Sequence, residues 1–186
     1  MPHLNIEIKA RCDDLDTIRR ILERRGARHV GRDHQVDTYF TVPDGRLKLR
    51  EGTIETALIH YLREDEAGPK ASHVALYHPR ETGPLKEVLT RALGVDTVVD
   101  KERDIYFLEN VKIHLDRVTG LGEFVEIEAI DMDGSRGEEQ LRRQCETWME
   151  ILGIREDRLI RRSYREMAGG PEEPETPAGG PGRPGR

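Results

Sequence analysis

The sequence is poor in the residues that build a dry core. Aromatic residues make up 5% of it, with a single tryptophan, and apolar residues of all kinds 35%, where an average domain carries roughly 45–50%. There are only two cysteines, Cys12 and Cys145, far apart in the chain. They match neither a disulfide framework nor a metal spacing, and read as buried thiols. Basic excess is missing too. Thirty Lys and Arg against 36 Asp and Glu give a net charge of −6, which argues against a general nucleic-acid binder. No apolar run approaches the roughly 18 residues a membrane span needs, and the opening MPHLNIEIKARC has no apolar leader. The expectation is a cytoplasmic protein with neither a membrane nor a nucleic acid as partner.

What is abundant is charge. Asp, Glu, Lys and Arg make up 35% of 186 residues, against about 25% on average. Either the surface is unusually charged or part of the interior is polar. The length suits one domain. From Ala168 the chain reads AGGPEEPETPAGGPGRPGR, a composition with nothing to bury and expected to be disordered. The domain is therefore placed at 1–167 and the tail at 168–186.

Three stretches have helical periodicity. One covers 14–25, with Leu15, Ile18, Ile21 and Leu22 on one stripe and Gly26 after it. A second covers 84–93, with Pro84 at the first helical position and Leu85, Val88, Leu89, Ala92 and Leu93 as its stripe. The third covers 138–152, with Leu141, Cys145, Trp148, Met149 and Leu152 inward. Most of the remainder alternates with period two: 4–11, 34–42, 46–51, 56–64, 73–80, 97–108, 111–118 and 123–130. Turn signals separate these runs at Pro43-Asp44-Gly45, Glu109-Asn110 and Gly120-Leu121-Gly122. The predicted class is α+β: an eight-stranded antiparallel β-barrel with helices packed outside.

Alternation sends residues i, i+2 and i+4 to one face. Asn5, Glu7 and Lys9 share a face, as do Arg46, Lys48 and Arg50; Tyr61 and Arg63; Lys101 and Arg103; Lys112, His114 and Asp116; and Glu126 and Glu128. Any one such face could simply be wet. Together they sort by sign, some strands carrying bases and others acids. Turned inward, they would make a hydrated tunnel in which burial of charge is offset by pairing or by bound ions. Carboxylate oxygens suit Mg²⁺ or Mn²⁺, and arginine forks and lysine ammoniums suit phosphate. His3, His29, His34, His60, His73 and His78 show no ligand spacing. His114 reads as tunnel-lining.

These residues resemble the CYTH family of triphosphate tunnel metalloenzymes, and in part its class IV adenylyl cyclase-like members. Asn5-Ile6-Glu7-Ile8-Lys9 is similar to the family's Glu-x-Glu-x-Lys signature. The likeness continues through Asp37-Thr38-Tyr39-Phe40, Gly45 to Glu51, Ile59 to Arg63, Gly68 to Ser72, Lys101-Glu102-Arg103, His114 to Val118, Glu126-Ile127-Glu128 and Ser163-Tyr164. The resemblance implies an eight-stranded tunnel, often in a homodimer. It implies a Mg²⁺ or Mn²⁺ cofactor held at Glu7, Glu126 and Glu128. It implies a triphosphate substrate (tripolyphosphate, thiamine triphosphate or ATP) bound by Lys9, Arg46, Lys48, Arg50, Tyr61, Arg63, Lys101 and Arg103. Glu7, Lys9, Asp116 and Glu126 take the catalytic positions, with Asp116 near the metal. One departure stands out: Asn5 replaces the first signature glutamate, which removes a charge from the metal positions. Hydrolysis of a triphosphate is the leading reading. Cyclisation of ATP to cyclic AMP and pyrophosphate is the alternative, and a non-catalytic polyphosphate- or nucleotide-binding module the third.

Overall fold

A computed structural model describes residues 3–63, 70–131 and 133–169. The eight strands are β1 (His3–Arg11), β2 (Arg28–Phe40), β3 (Arg46–Gly52), β4 (Ala57–Arg63), β5 (Lys70–Tyr77), β6 (Val95–Leu108), β7 (Val111–Val118) and β8 (Gly122–Asp131). They pair antiparallel in the order β1-β5-β4-β3-β2-β6-β7-β8 and close into a barrel, β1 sealing it between β5 and β8. Among the described residues closure gives every strand a neighbour on both sides, although β2 pairs with β3 only from Gln35 onward. The helices are α1 (Leu15–Arg24), α2 (Thr82–Leu93), α3 (Glu138–Ile151) and α4 (Tyr164–Gly169).

The apolar core lies outside the barrel wall. Ile6 and Ile8 of β1, Ile113 and Leu115 of β7, and Val125, Ile127 and Ala129 of β8 point outward. They pack under Leu15, Ile18 and Leu22 of α1 and Leu141, Cys145 and Leu152 around α3. Burying each large side chain contributes about 1.5–3 kcal/mol, so this layer holds the helices to the sheet. α1 starts where Asp14 accepts a hydrogen bond from the Thr17 amide at 2.9 Å, an ordinary N-cap.

Two expectations for the helices are corrected. α2 begins at Thr82, so Pro84 is its third residue, still within the turn whose amides need no helical partner. Its stripe does not enter the core either: α2 has no buried residue, and Val88 is 62% exposed. α4 had no periodic signal, being six residues long. It lies against the tunnel rather than on the barrel's outer wall. No helix among the described residues is long and apolar enough to cross a membrane. The side chain of Arg63, Gly68 and Pro69 of the quoted loop, and the tail from position 170 lie outside the described residues.

Candidate functional site

Because apolar side chains take the outer face, pleat geometry turns their polar neighbours into the lumen. The lumen is a cavity of about 560 Å³. Asn5, Glu7, Lys9, Lys48, Arg50, Tyr61, Lys101, Arg103, Glu126 and Glu128 all line it, so most of the expected residues converge. Strand register sets acids opposite bases and, at one place, two acids opposite each other. Lys9 is opposite Glu126 and Glu7 opposite Glu128 across β1 and β8, and Lys112 is opposite Glu128 across β7 and β8.

Glu126 receives Lys9 Nζ at 2.8 Å and Arg103 Nη2 at 2.5 Å. Burial alone would raise its carboxyl, but the Lys9 and Arg103 charges overcome this and hold it well below the usual carboxylate range. Glu128 goes the other way. Burial raises it, and the nearby Glu7 and Glu126 charges add to the rise against Lys112. His114 is buried beside Arg103. Burial first, then that guanidinium, push it down to about 3, so it is neutral. Asp116 does not open on the lumen. It is fully enclosed, accepts Arg103 Nε at 2.6 Å and the Tyr164 hydroxyl at 2.7 Å, and so fixes Arg103 from behind. Arg46 sits at the α4 end of the tunnel and pairs with Glu166.

Sequence reasoning missed two acids. Asp37 of β2 is 1% exposed and accepts Arg50 Nε at 2.8 Å, Arg50 Nη2 at 2.9 Å, Lys101 Nζ at 2.9 Å and Lys48 Nζ at 3.0 Å. Burial opposes its ionisation, yet Arg50, Lys101 and Lys48 keep it well below the normal range. Lys101 gains from that one anion but is repelled by Arg50, Arg103 and Lys48. Burial and this repulsion bring it down to about 7. The three cations thus share a single fixed anion. Glu55, in the β3–β4 turn, pairs with Lys112 and with Arg50 at 3.3 Å. That turn is built by buried Asp33, which accepts the Ile54 and Glu55 amides at 2.7 and 2.9 Å. It also needs Gly52, where a Cβ would lie 2.4 Å from the Glu55 carbonyl oxygen. Asp37 did lie in a quoted motif, with Asp33, Gln35 and Tyr39 at the same alternation. Glu55 had no periodic signal.

Ser163 and Tyr164 bring α4 into the lining. Lys9 Nζ lies 3.9 Å from the Tyr164 ring centroid, a cation–π distance. Ile160 donates its amide to the Lys9 carbonyl at 2.9 Å.

The implied divalent ion needs oxygen donors in this lumen. Among the described residues no three His, Cys, Asp or Glu side chains already form a cluster that could hold a metal. Glu126 is turned to its bases, and the Asn5 amide donates to Glu128. Mg²⁺ and Mn²⁺, however, take only one or two protein carboxylates and complete their octahedron with water and phosphate oxygens. Glu7 and Glu128 are such a pair, on facing register positions of β1 and β8, with Glu128 raised partly by the charge of Glu7. The Asn5 Oδ1 beside them is buried with no hydrogen-bond partner. A hard cation would relieve both, so the residues fit one ion.

A closed antiparallel barrel with facing acids and bases inside and its core outside defines a tunnel protein. The chain belongs to the CYTH domain family, whose model matches residues 3–164. A relative from Methanocaldococcus jannaschii, "Putative adenylate cyclase", is 27% identical over 182 residues, covering 89% of this chain and 99% of the relative. A solved protein from Pyrococcus horikoshii OT3 is 28% identical with a TM-score of 0.74, covering 87% of this chain and 97% of that one. A putative adenylate cyclase of Vibrio parahaemolyticus shares the fold, with a TM-score of 0.72 at 20% identity, covering 89% and 97%.

Proposed function

We propose that this chain is a divalent-metal-dependent phosphohydrolase that cleaves a triphosphate inside its tunnel. The observation that carries this reading is the surplus of cations around Asp37, in one cavity with the Glu7–Glu128 pair. A polyanion is the ligand that completes such a set. Lys9, Lys48, Arg50, Lys101 and Arg103 bind the phosphate oxygens, the arginines by two-pronged contacts. Arg46 extends the basic track from β3 and Tyr61 flanks it, and the resemblance adds Arg63 to the phosphate-binding set. Glu7 and Glu128, with Glu126 and Asn5 Oδ1 near at hand, are the groups that would hold Mg²⁺ or Mn²⁺. When bound, that ion supplies charge neutralisation at the phosphoryl oxygens and lowers the pKa of water. Asp116 positions Arg103, whose fixed charge stabilises the transferring phosphoryl group.

The name of the Methanocaldococcus jannaschii relative, a putative adenylate cyclase, supports a second reading, cyclisation of ATP with release of pyrophosphate. Purified protein incubated with ATP, thiamine triphosphate or tripolyphosphate, each with Mg²⁺ or Mn²⁺, separates the readings by its products. Orthophosphate, lost in Glu126→Gln, is the expected result. Cyclic AMP with pyrophosphate would replace it by cyclisation. Binding without turnover would leave a polyphosphate-binding module.

A further inference from the structure

A second cavity, of about 710 Å³, lies between the end of α1, the β6–β7 turn and α3. It shares no lining residue with the lumen. Leu108 and the buried Val111 give it apolar walls. Phe107 and Trp148, the chain's single tryptophan, add two aromatic rings. Arg25 and Arg28 add two guanidiniums, and among the described residues neither is paired with a carboxylate. The Arg28 guanidinium carbon lies 5.2 Å from the Phe107 ring centroid, across the β2–β6 ladder. The one acid in the lining is Glu109, in the β6–β7 turn. Its φ is 51°, a left-handed backbone that a long side chain rarely adopts. The turn is pinned there by its next residue. Asn110 donates to the Ile130 carbonyl at 3.1 Å and to Gln144 of α3 at 3.0 Å, and Gln144 donates back at 2.9 Å. Glu109 is thus held at the groove by a rigid clasp.

Unpaired guanidiniums offer forked donors that match a phosphate. Aromatic side chains offer faces on which a flat base stacks. A carboxylate beside them accepts a hydrogen bond from a base's exocyclic amine. Free phosphate would leave the rings unused, and a plain aromatic molecule would leave the guanidiniums unused. The volume falls within the range of about 300–1,000 Å³ of small-ligand sites. We propose that this groove binds a nucleoside monophosphate: its phosphate on Arg25 and Arg28, its base against Trp148 and Phe107, and its amine on Glu109. The assignment is independent of what the lumen turns over.

Trp148 is the only tryptophan, so its fluorescence reports on this groove. The full chain is titrated with AMP, CMP and GMP, with divalent ions chelated. At least one of them should change the Trp148 emission saturably. Adenosine and ribose 5-phosphate, each carrying half of the ligand, should bind about tenfold more weakly or worse. Arg28→Gln, at an exposed position, should weaken the nucleotide about tenfold, while Lys48→Gln, in the lumen, should leave it within about twofold. No saturable change with any of the three nucleotides up to about 5 mM would overturn the proposal. So would equal binding of adenosine or ribose 5-phosphate, or an Arg28→Gln variant that binds as wild type does. A loss in Lys48→Gln as large as in Arg28→Gln would put the nucleotide in the lumen and overturn it as well.

Discussion

Replacing Asp37 with asparagine removes the one anion that Lys48, Arg50 and Lys101 share, each within 3.0 Å of it. The side chain keeps its size, so the effect is electrostatic. Three cations then remain in a low-dielectric space, with Glu55 the next acid to Arg50 at 3.3 Å. Taking one partner from a buried ion pair costs about 3–5 kcal/mol. In a domain of this size each kcal/mol lowers the melting temperature by about 2–4 °C, so Asp37→Asn should melt about 6–20 °C below wild type. The same loss sharpens the appetite for an external anion. Tripolyphosphate should therefore raise the melting temperature of the variant more than that of wild type, since each tenfold gain in affinity adds about 1.4 kcal/mol. Thermal melts of both proteins, with and without tripolyphosphate, read this directly. A variant melting within about 3 °C of wild type would refute the shared-anion account. A smaller polyphosphate shift in the variant would show that Asp37 orients the cations rather than neutralising them.

Lys101 makes the site proton-linked. Its folded value, about 7, lies below its unfolded value. The unfolded chain therefore binds the extra proton between pH 7 and about 10.4, and this residue's contribution to stability rises with pH across that window. A bound polyanion reverses the depression, so tripolyphosphate binding near pH 8 should take up close to one proton. Calorimetry in buffers of different ionisation heat measures it, and no uptake, or uptake retained in Lys101→Met, would contradict the assignment. Asn5→Glu should tighten Mn²⁺ binding several-fold in a spectroscopic titration while lowering the metal-free melting temperature, because it adds a third carboxylate beside Glu7 and Glu128; unchanged affinity would count against an ion there. Cys145 is wholly buried, donates to the Ile6 carbonyl at 3.2 Å and is pushed up to about 12 by burial. A thiol reagent should label the half-buried Cys12 first and Cys145 only at the unfolding rate; rapid double labelling would show a looser α3.

All eight strands were legible from their alternation, which is sharpest on β1, β7 and β8, where one face packs under α1 and α3. The boundaries blurred where that driving force is absent. β2 begins at Arg28, six positions before the alternating run, because its first half is held by charge. There Asp104 gathers Arg19, His29 and Arg32, and the ladder shifts register between His29 and Gly31. No hydropathy pattern encodes that arrangement. Lumen residues on β1, β3, β6 and β8 were readable from their alternation. Asp37 gained its meaning only once β2 was seen between β3 and β6. Glu55 and Tyr164 sit on a turn and a one-turn helix, where sequence spacing says nothing about direction.

The position of β1 has a kinetic consequence. It pairs with β5 and also with β8, and its contact from Asn5 to Glu128 spans 123 positions. Loop closure over such distances comes late and slowly. Asn5, Glu7 and Lys9 ride on this strand while Glu126 and Glu128 ride on its partner. The binding site and the barrel are thus completed by the same event: ligand can grip only chains that have already closed, so it should slow reopening without hastening the search.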